Sequence, residues 1–199
     1  MVIRDRLAYV RHVIEERQRG IEMARAEFPR SNLRIMHNVI LNRYPANIEE
    51  SDLGITLAEE ISTLDPQPDT ISVSFWDRRS TIVEALDFIE EVTHYPRYRI
   101  YIDELGEYKE WAQYKRIYDE GRRAMCWGAT LVNVWMWKQT WGGNNHGLFY
   151  HSWPDGDTNL SPIFGEPRPG YYAVQDLINF VPNEIDCAEV FALPPTKEP

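Results

Sequence analysis

The chain is short of basic residues and cysteines and has no long apolar run, and each shortage removes a class of function. Lys and Arg number 21 against 31 Asp and Glu, a formal net charge of -10. That balance argues against a nucleic-acid backbone or an anionic membrane surface as partner. No stretch approaches the ~18 consecutive apolar residues of a spanning helix. The opening Met-Val-Ile-Arg-Asp-Arg-Leu passes straight into a charged helical pattern, without the apolar core of a signal peptide. The compartment therefore stays open. Two cysteines, Cys126 and Cys187, cannot build a disulfide framework, and neither has metal-ligand spacing. Two buried or idle thiols are the expectation. A bond between them is geometrically open, because Cys126 falls near the bottom of the fourth predicted strand and Cys187 follows a helix running back to that end. The five histidines, His12, His37, His94, His146 and His151, show no triad companion and no metal spacing. No Gly-x-Gly-x-x-Gly or Walker pattern follows a strand, and no Gly-x-Ser-x-Gly marks a serine nucleophile. Neither a cofactor nor a metal is expected.

What is present is aromatic: 7 Trp and 11 Tyr, with many of the tryptophans just after predicted strands. Core packing alone would not concentrate them there, whereas a sugar-stacking cleft would. The periodicity predicts a helix from Arg4 to Phe28, with Leu7, Val10, Ile14, Ile21 and Ala24 as its apolar stripe. A strand over Leu33–Ile40 follows, then a short helix through Leu57 and Ile61 capped by Ser51 or Asp52. The second strand is Thr70–Trp76, and Ser80 caps a helix with Ile82, Leu86 and Ile89 on one face. The third strand is Tyr98–Asp103, followed by a helix from about Tyr108 to Ala124. Ala129–Trp137 is the fourth strand. A loop rich in Gly, Asn and Pro leads to Pro169, which opens a last helix, Gly170–Phe180. Residues after Val181 read as a loosely attached tail. The expected fold class is α/β, four parallel strand-helix units preceded by one helix, at the ~30-residue spacing of βαβ repeats. An open doubly wound sheet and part of an eight-stranded barrel both fit.

The chemistry concentrates at the strand ends. Arg99-Ile-Tyr-Ile-Asp-Glu-Leu-Gly106 is an apolar strand that runs out in a carboxylate, Glu104, followed by glycine. A carboxylate there is expensive to bury unless something uses it, and in a barrel that end carries the reaction. Alternation along the strand predicts Ile100, Ile102 and Glu104 on one side, with Tyr101, Asp103 and Leu105 on the other. Trp76 ends the second strand above Ser72 and Ser74. Trp135 and Trp137 end the fourth and share a side with Asn133. Three indoles around one carboxylate make a poor core, because each N–H needs a partner, but a good floor for a sugar ring. Asn38, Asn42, Tyr44, Gln139, Trp141 and His146 supply polar and aromatic rims on adjoining loops.

Ile100-Tyr-Ile-Asp-Glu104-Leu-Gly106 resembles the seventh-strand motif of the clan A glycoside hydrolases, (β/α)8 barrels whose nucleophilic Glu closes that strand. Asn133-Val-Trp135-Met-Trp137-Lys resembles their eighth strand, which ends in a Trp beneath the bound sugar. Val73-Ser-Phe-Trp-Asp77 resembles their sixth strand, where an aromatic contacts the nucleophile. Gly170-Tyr-Tyr-Ala-Val-Gln-Asp-Leu-Ile178 resembles their last helix. The likeness runs from about Leu33 to Val181. It implies a retaining hydrolase of O-glycosyl bonds with Glu104 as nucleophile and an oligosaccharide or glycoside as substrate.

The chain also departs from that pattern. The clan's acid/base is a Glu preceded by Asn at the end of the fourth strand, and the one Asn-Glu pair here, Asn183-Glu184, lies in the tail. The resemblance therefore implies a half barrel, strands five to eight over residues 1–181 with a tail over 182–199, lacking its acid/base. Of the nearby acids Asp77, Asp103 and Glu107, Asp77 is the one expected to aim inward. A half barrel leaves two strand edges unpaired, so a complementary N-terminal half or a second copy is the expected partner. Two alternatives remain: a non-catalytic carbohydrate-binding or scaffold protein that kept the cleft, or a truncated, inactive fragment.

Overall fold

The computed structural model describes residues 3–29, 36–41, 64–65, 67–76, 80–107, 109–135, 147–149 and 166–194. Among them the order is α1 (Ile3–Glu27), β1 (Met36–Leu41), β2 (Thr70–Phe75), α2 (Ile82–Thr93), a single 3₁₀ turn (Arg97–Arg99), β3 (Ile100–Leu105), α3 (Glu110–Trp127), β4 (Val132–Val134), α4 (Pro169–Asn179) and α5 (Glu184–Ala192). The fold is α/β. The four strands form one parallel sheet in the order β1-β2-β3-β4. The order never reverses, whereas a doubly wound sheet reverses at its switch point.

Strand β2 explains how the layers separate. It reads Thr-Ile-Ser-Val-Ser-Phe, strictly alternating, so one face carries hydroxyls and the other apolar groups. Ile71, Val73 and Phe75 are wholly buried and pack with Ile82, Leu86 and Ile89 of α2 and with Ala124 and Trp127 of α3. Ile100, Ile102 and Leu105 of β3 join the same cluster. A second cluster joins Ile117 of α3 to Ala173 and Leu177 of α4 and to Leu148. Between the two, α3 carries a buried ion pair, Glu120 with Arg123. The other oxygen of Glu120 accepts the N–H of Ile82 at 2.8 Å, which satisfies an orphan donor at the start of α2.

Local chemistry sets most boundaries. The cap of α2 is Thr81, not Ser80: Glu84 stands three residues after it and completes a reciprocal capping box. Pro169 occupies the first turn of α4, as expected. Strand β3 begins at Ile100 rather than Tyr98, because Arg97–Arg99 close a turn in which Arg99 N–H reaches Pro96 O at 2.8 Å. Strand β4 begins at Val132 rather than Ala129. The preceding residues finish α3, with Gly128 at φ 110° in the left-handed cap that glycine adopts without strain. The predicted short helix through Leu57 and Ile61 lies outside the described residues.

Two expectations at the carboxyl end are corrected. Among the described residues, 182–194 are not a loose tail: Asn183 caps α5 by accepting Asp186 N–H at 2.9 Å. Arg123 Nη2 donates to Leu193 O at 2.7 Å and to Pro194 O at 2.9 Å. Nor are the cysteines idle. The packing of α5 on α3 brings the Cα atoms of Cys126 and Cys187 to 5.4 Å, and their sulfurs are bonded.

Candidate active site

The site is made by an irregularity in β3. Val73 aligns with Ile102, but the next residue of β2, Ser74, aligns with Glu104. On the other side Ile102 aligns with Val132 and Leu105 with Val134. Both neighbours count one residue fewer than β3, which is a bulge at Asp103. Strict alternation would have sent Glu104 to the helix side with Ile100 and Ile102. Instead Ile100, Ile102 and Leu105 are buried in the core, while Asp103 and Glu104 both meet the hydroxyl face of β2. The expected facing of Glu104 toward Trp76 is realised, but by the bulge rather than by the alternation.

On that face the polar groups are linked. Trp76 Nε1–H donates to Glu104 Oε2 at 3.2 Å. The hydroxyls of Ser72 and Ser74 donate to the two carboxylate oxygens of Asp103 at 3.0 and 3.1 Å. From β4, Asn133 Nδ2 donates to the main-chain oxygen of Asp103 at 2.9 Å. Burial pushes the Glu104 carboxyl above its ordinary value, and the neighbouring Asp103 charge adds to that. The hydrogen bonds from Trp76 and Ser74 pull the other way.

Gly106 leaves room for the Trp76 indole and the Trp135 main chain at the end of β3. A Cβ on this residue would stand 2.8 Å from the Trp135 main-chain oxygen and 3.0 Å from Cη2 of Trp76. Trp135 N–H in turn donates to Leu105 O at 2.9 Å. Trp76 is half-buried and Trp135 is 36% exposed, so both side chains keep contact with solvent.

Behind the site the loop is fixed by buried charge. Glu107 and Arg116 are 2% and 1% exposed, with Arg116 Nε 3.8 Å from Glu107 Oε2 and the guanidinium over the Phe75 ring. Glu107 Oε1 also accepts Lys109 N–H at 2.8 Å. Gln113 donates to Glu107 O at 3.1 Å and Gly147 O at 3.3 Å and accepts Gly170 N–H at 3.0 Å, joining three segments.

Of the expected site, the structure brings Glu104 and the Trp76 indole together, and Trp135 adjoins them through its main chain, whose N–H reaches Leu105 O. Asn38 lies on β1 in register with Ser72; its side chain is outside the described residues, as are Asp77, Trp137, Tyr44, Trp141 and His146, together with Asn42 and Gln139. Among the described acids, Asp103 is the one that reaches the hydroxyl face beside Glu104, a role expected of Asp77. The signal that could have revealed it is the Ser-x-Ser of β2 beside two consecutive acids on β3, since two hydroxyls on one face suit a carboxylate. Among the described residues no group of His, Cys, Asp and Glu side chains is arranged to hold a metal ion, and no helix is long and apolar enough to cross a membrane. Comparison with family models, with curated proteins and with solved structures finds no match to this chain.

Proposed function

We propose that the chain is the carboxyl-terminal arc of a (β/α)8 barrel of the clan A glycoside hydrolase type, with Glu104 as the nucleophile of a retaining reaction. Three features support the arc: the unreversed strand order, the hydroxyl face of β2 opposite its apolar one, and the packing of α2 and α3 on the apolar face. The observation that carries the function is the Trp76–Glu104 hydrogen bond of 3.2 Å at the carboxyl edge of the sheet. A carboxylate held against an indole in this way supports the reading.

Glu104 attacks the anomeric carbon as its carboxylate. The bond to the leaving oxygen breaks with its electron pair going to that oxygen, and a glycosyl ester forms on Glu104. Water then cleaves the ester, restoring the carboxylate and releasing a proton. Retaining enzymes place a second carboxyl ~5–5.5 Å away to protonate the leaving oxygen. Asp103 has both oxygens taken by serine hydroxyls, and Glu107 is buried against Arg116, so neither serves that purpose. The chain alone thus acts on glycosides whose leaving group needs no proton, and a complementary half barrel or a second copy supplies the acid for an oligosaccharide. Trp76 and Trp135 form the sugar platform, with Trp137, Asn38, Tyr44, Trp141 and His146 as its rims.

The deciding experiment measures dinitrophenyl glycoside turnover by the chain and by Glu104→Gln. Loss of turnover with retained sugar binding is expected; full activity in the variant ends the assignment. The engagement of Asp103 and Glu107 elsewhere favours one second reading, a carbohydrate-binding protein without catalysis. Tryptophan quenching by an oligosaccharide without hydrolysis of the activated glycoside would select it.

A further inference from the structure

We propose that Asp103 is a positioning residue: its carboxylate, clamped by Ser72 and Ser74, holds the β3 bulge that aims Glu104 at Trp76. The inference rests on reading Glu104 as the reacting group, but its test does not require turnover. A bulge adds one residue to a strand and moves every side chain beyond it to the opposite face. Without it, Glu104 would follow Ile100 and Ile102 into the helix-facing core, where a carboxylate has no polar neighbours among those residues. Two arrangements of β3 therefore compete, and the molecule must select one.

The selection is visible in the contacts of the inserted residue. Ser72 and Ser74 flank Val73 on β2, two positions apart on one face, and reach the two oxygens of the same carboxylate at 3.0 and 3.1 Å. Asn133 of β4 takes the main-chain oxygen of the same residue at 2.9 Å. Three side chains from the two neighbouring strands thus converge on Asp103. Ser72 and Ser74 are 0% and 1% exposed, so water does not readily replace the carboxylate as their partner. Hydrogen bonds of this kind, to a charged acceptor, are worth about twice neutral ones. Asp103 touches no substrate in this account; it acts through Glu104.

The full chain, labelled at its tryptophan indoles with ¹⁵N, provides the readout. Trp76→Phe identifies the Trp76 indole resonance, and Glu104→Ala shows where that resonance lies without its carboxylate partner. Asp103→Ala should move the signal to the Glu104→Ala position. Asp103→Asn should leave it in place, because the amide offers an oxygen to one serine and an N–H to the other. Ser72→Ala, which removes one hydroxyl from Asp103 and leaves the Ser74 bond to Glu104 in place, repeats the test without touching β3, should Asp103→Ala fail to fold. On a dinitrophenyl glycoside, kcat should fall roughly 100-fold in the alanine variants with KM nearly unchanged, the effect of a misplacement near 1 Å. An unmoved Trp76 resonance in folded alanine variants overturns the proposal. A wild-type chain that turns over no glycoside, yet shows the expected shifts, overturns the glycosidase reading and supports the clamp.

Cys126 and Cys187 are the chain's two cysteines, and both are used in one bond between α3 and α5. Cytosolic thiol pools keep such pairs reduced, whereas exported and lumenal proteins retain them. From this bond we infer that the chain matures in an oxidising compartment. Thiol trapping in the cells that naturally make the protein tests this directly. Resistance to a maleimide–polyethylene glycol reagent under denaturing conditions, followed by two additions after reduction, is expected. Immediate modification at both positions overturns it.

Discussion

The indole N–H of Trp76 donates to the carboxylate of Glu104 at 3.2 Å across the seam between β2 and β3. Both residues stand at the carboxyl ends of parallel neighbours, so the strands themselves bring them together and no long loop is needed. The contact gives a half-buried indole the acceptor it needs. It also gives the carboxylate one donor in a setting whose burial works against its charge.

That conflict has a pH signature. The folded protein holds the Glu104 proton more tightly than the unfolded chain, whose carboxyl titrates near 4.5. Stability from this group is therefore greatest below that value and falls as pH rises through the raised folded value, because the native state then binds more protons than the unfolded one. Glu104→Gln removes the decline. The variant should be more stable than wild type at pH 7, by less than about 1 kcal/mol given solvent screening of a half-exposed group, and the gap should narrow at pH 4. Urea unfolding at both values measures it.

Much of the architecture could be read from residues. The Thr-Ile-Ser-Val-Ser-Phe alternation marked β2 and its two faces, Pro169 marked the start of α4, and the apolar spacing of Ile82, Leu86 and Ile89 marked α2. The Glu104–Trp76 pairing was also legible, since each residue closes a strand. The bulge was not. Its trace is slight: the apolar residues of Ile-Tyr-Ile-Asp-Glu-Leu fall at 100, 102 and 105, a spacing of two and then three, and only the register of the neighbours turns that into a bulge. The disulfide was legible only as an open option, not as the expectation: 61 residues separate the cysteines, and the packing of α5 on α3 is what brings them together.

Gly106 and Gly20 should respond oppositely to alanine. At Gly106 the new Cβ would meet the Trp135 main-chain oxygen at 2.8 Å and the Trp76 ring at 3.0 and 3.1 Å. Backbone cannot yield as a flexible side chain can, so Gly106→Ala should cost about 1–3 kcal/mol and displace the Trp76 ring. Gly20 sits within α1, and a Cβ added there would meet nothing inside 4 Å. Gly20→Ala should stabilise by roughly 0.5–1 kcal/mol through helix propensity alone. Thermal melts of the two variants beside wild type check both signs.

Tyr114 gives a spectroscopic check on the α3–α4 interface. Its hydroxyl donates to Asp176 Oδ2 at 2.5 Å, and this bond, more than burial, pushes the phenol up to about 12. The unfolded chain loses the proton near 10.0, so stability should fall as pH rises from 10.0 toward about 12. Asp176→Asn should return the phenol toward 10.0 in an absorbance titration and flatten that fall.

Removing the disulfide should loosen α5 first. In the chain-entropy account, a bond across a separation of 61 residues restricts the unfolded state by about 4 kcal/mol. For a chain of this size that corresponds to roughly 8–16 °C in Tm. Cys187→Ser should show a loss in this range, and wild type should match it once reduced. Val190 is 1% exposed, and Arg123 still reaches Leu193 O and Pro194 O, so α5 should remain docked in the variant but open more often. Hydrogen exchange over 184–192 should therefore quicken while β2 and β3 exchange only as fast as the lowered global stability requires. Equal acceleration in α5 and the sheet, scaled to the Tm change, would mean that α5 unfolds with the core and that the bond acts on the whole chain at once.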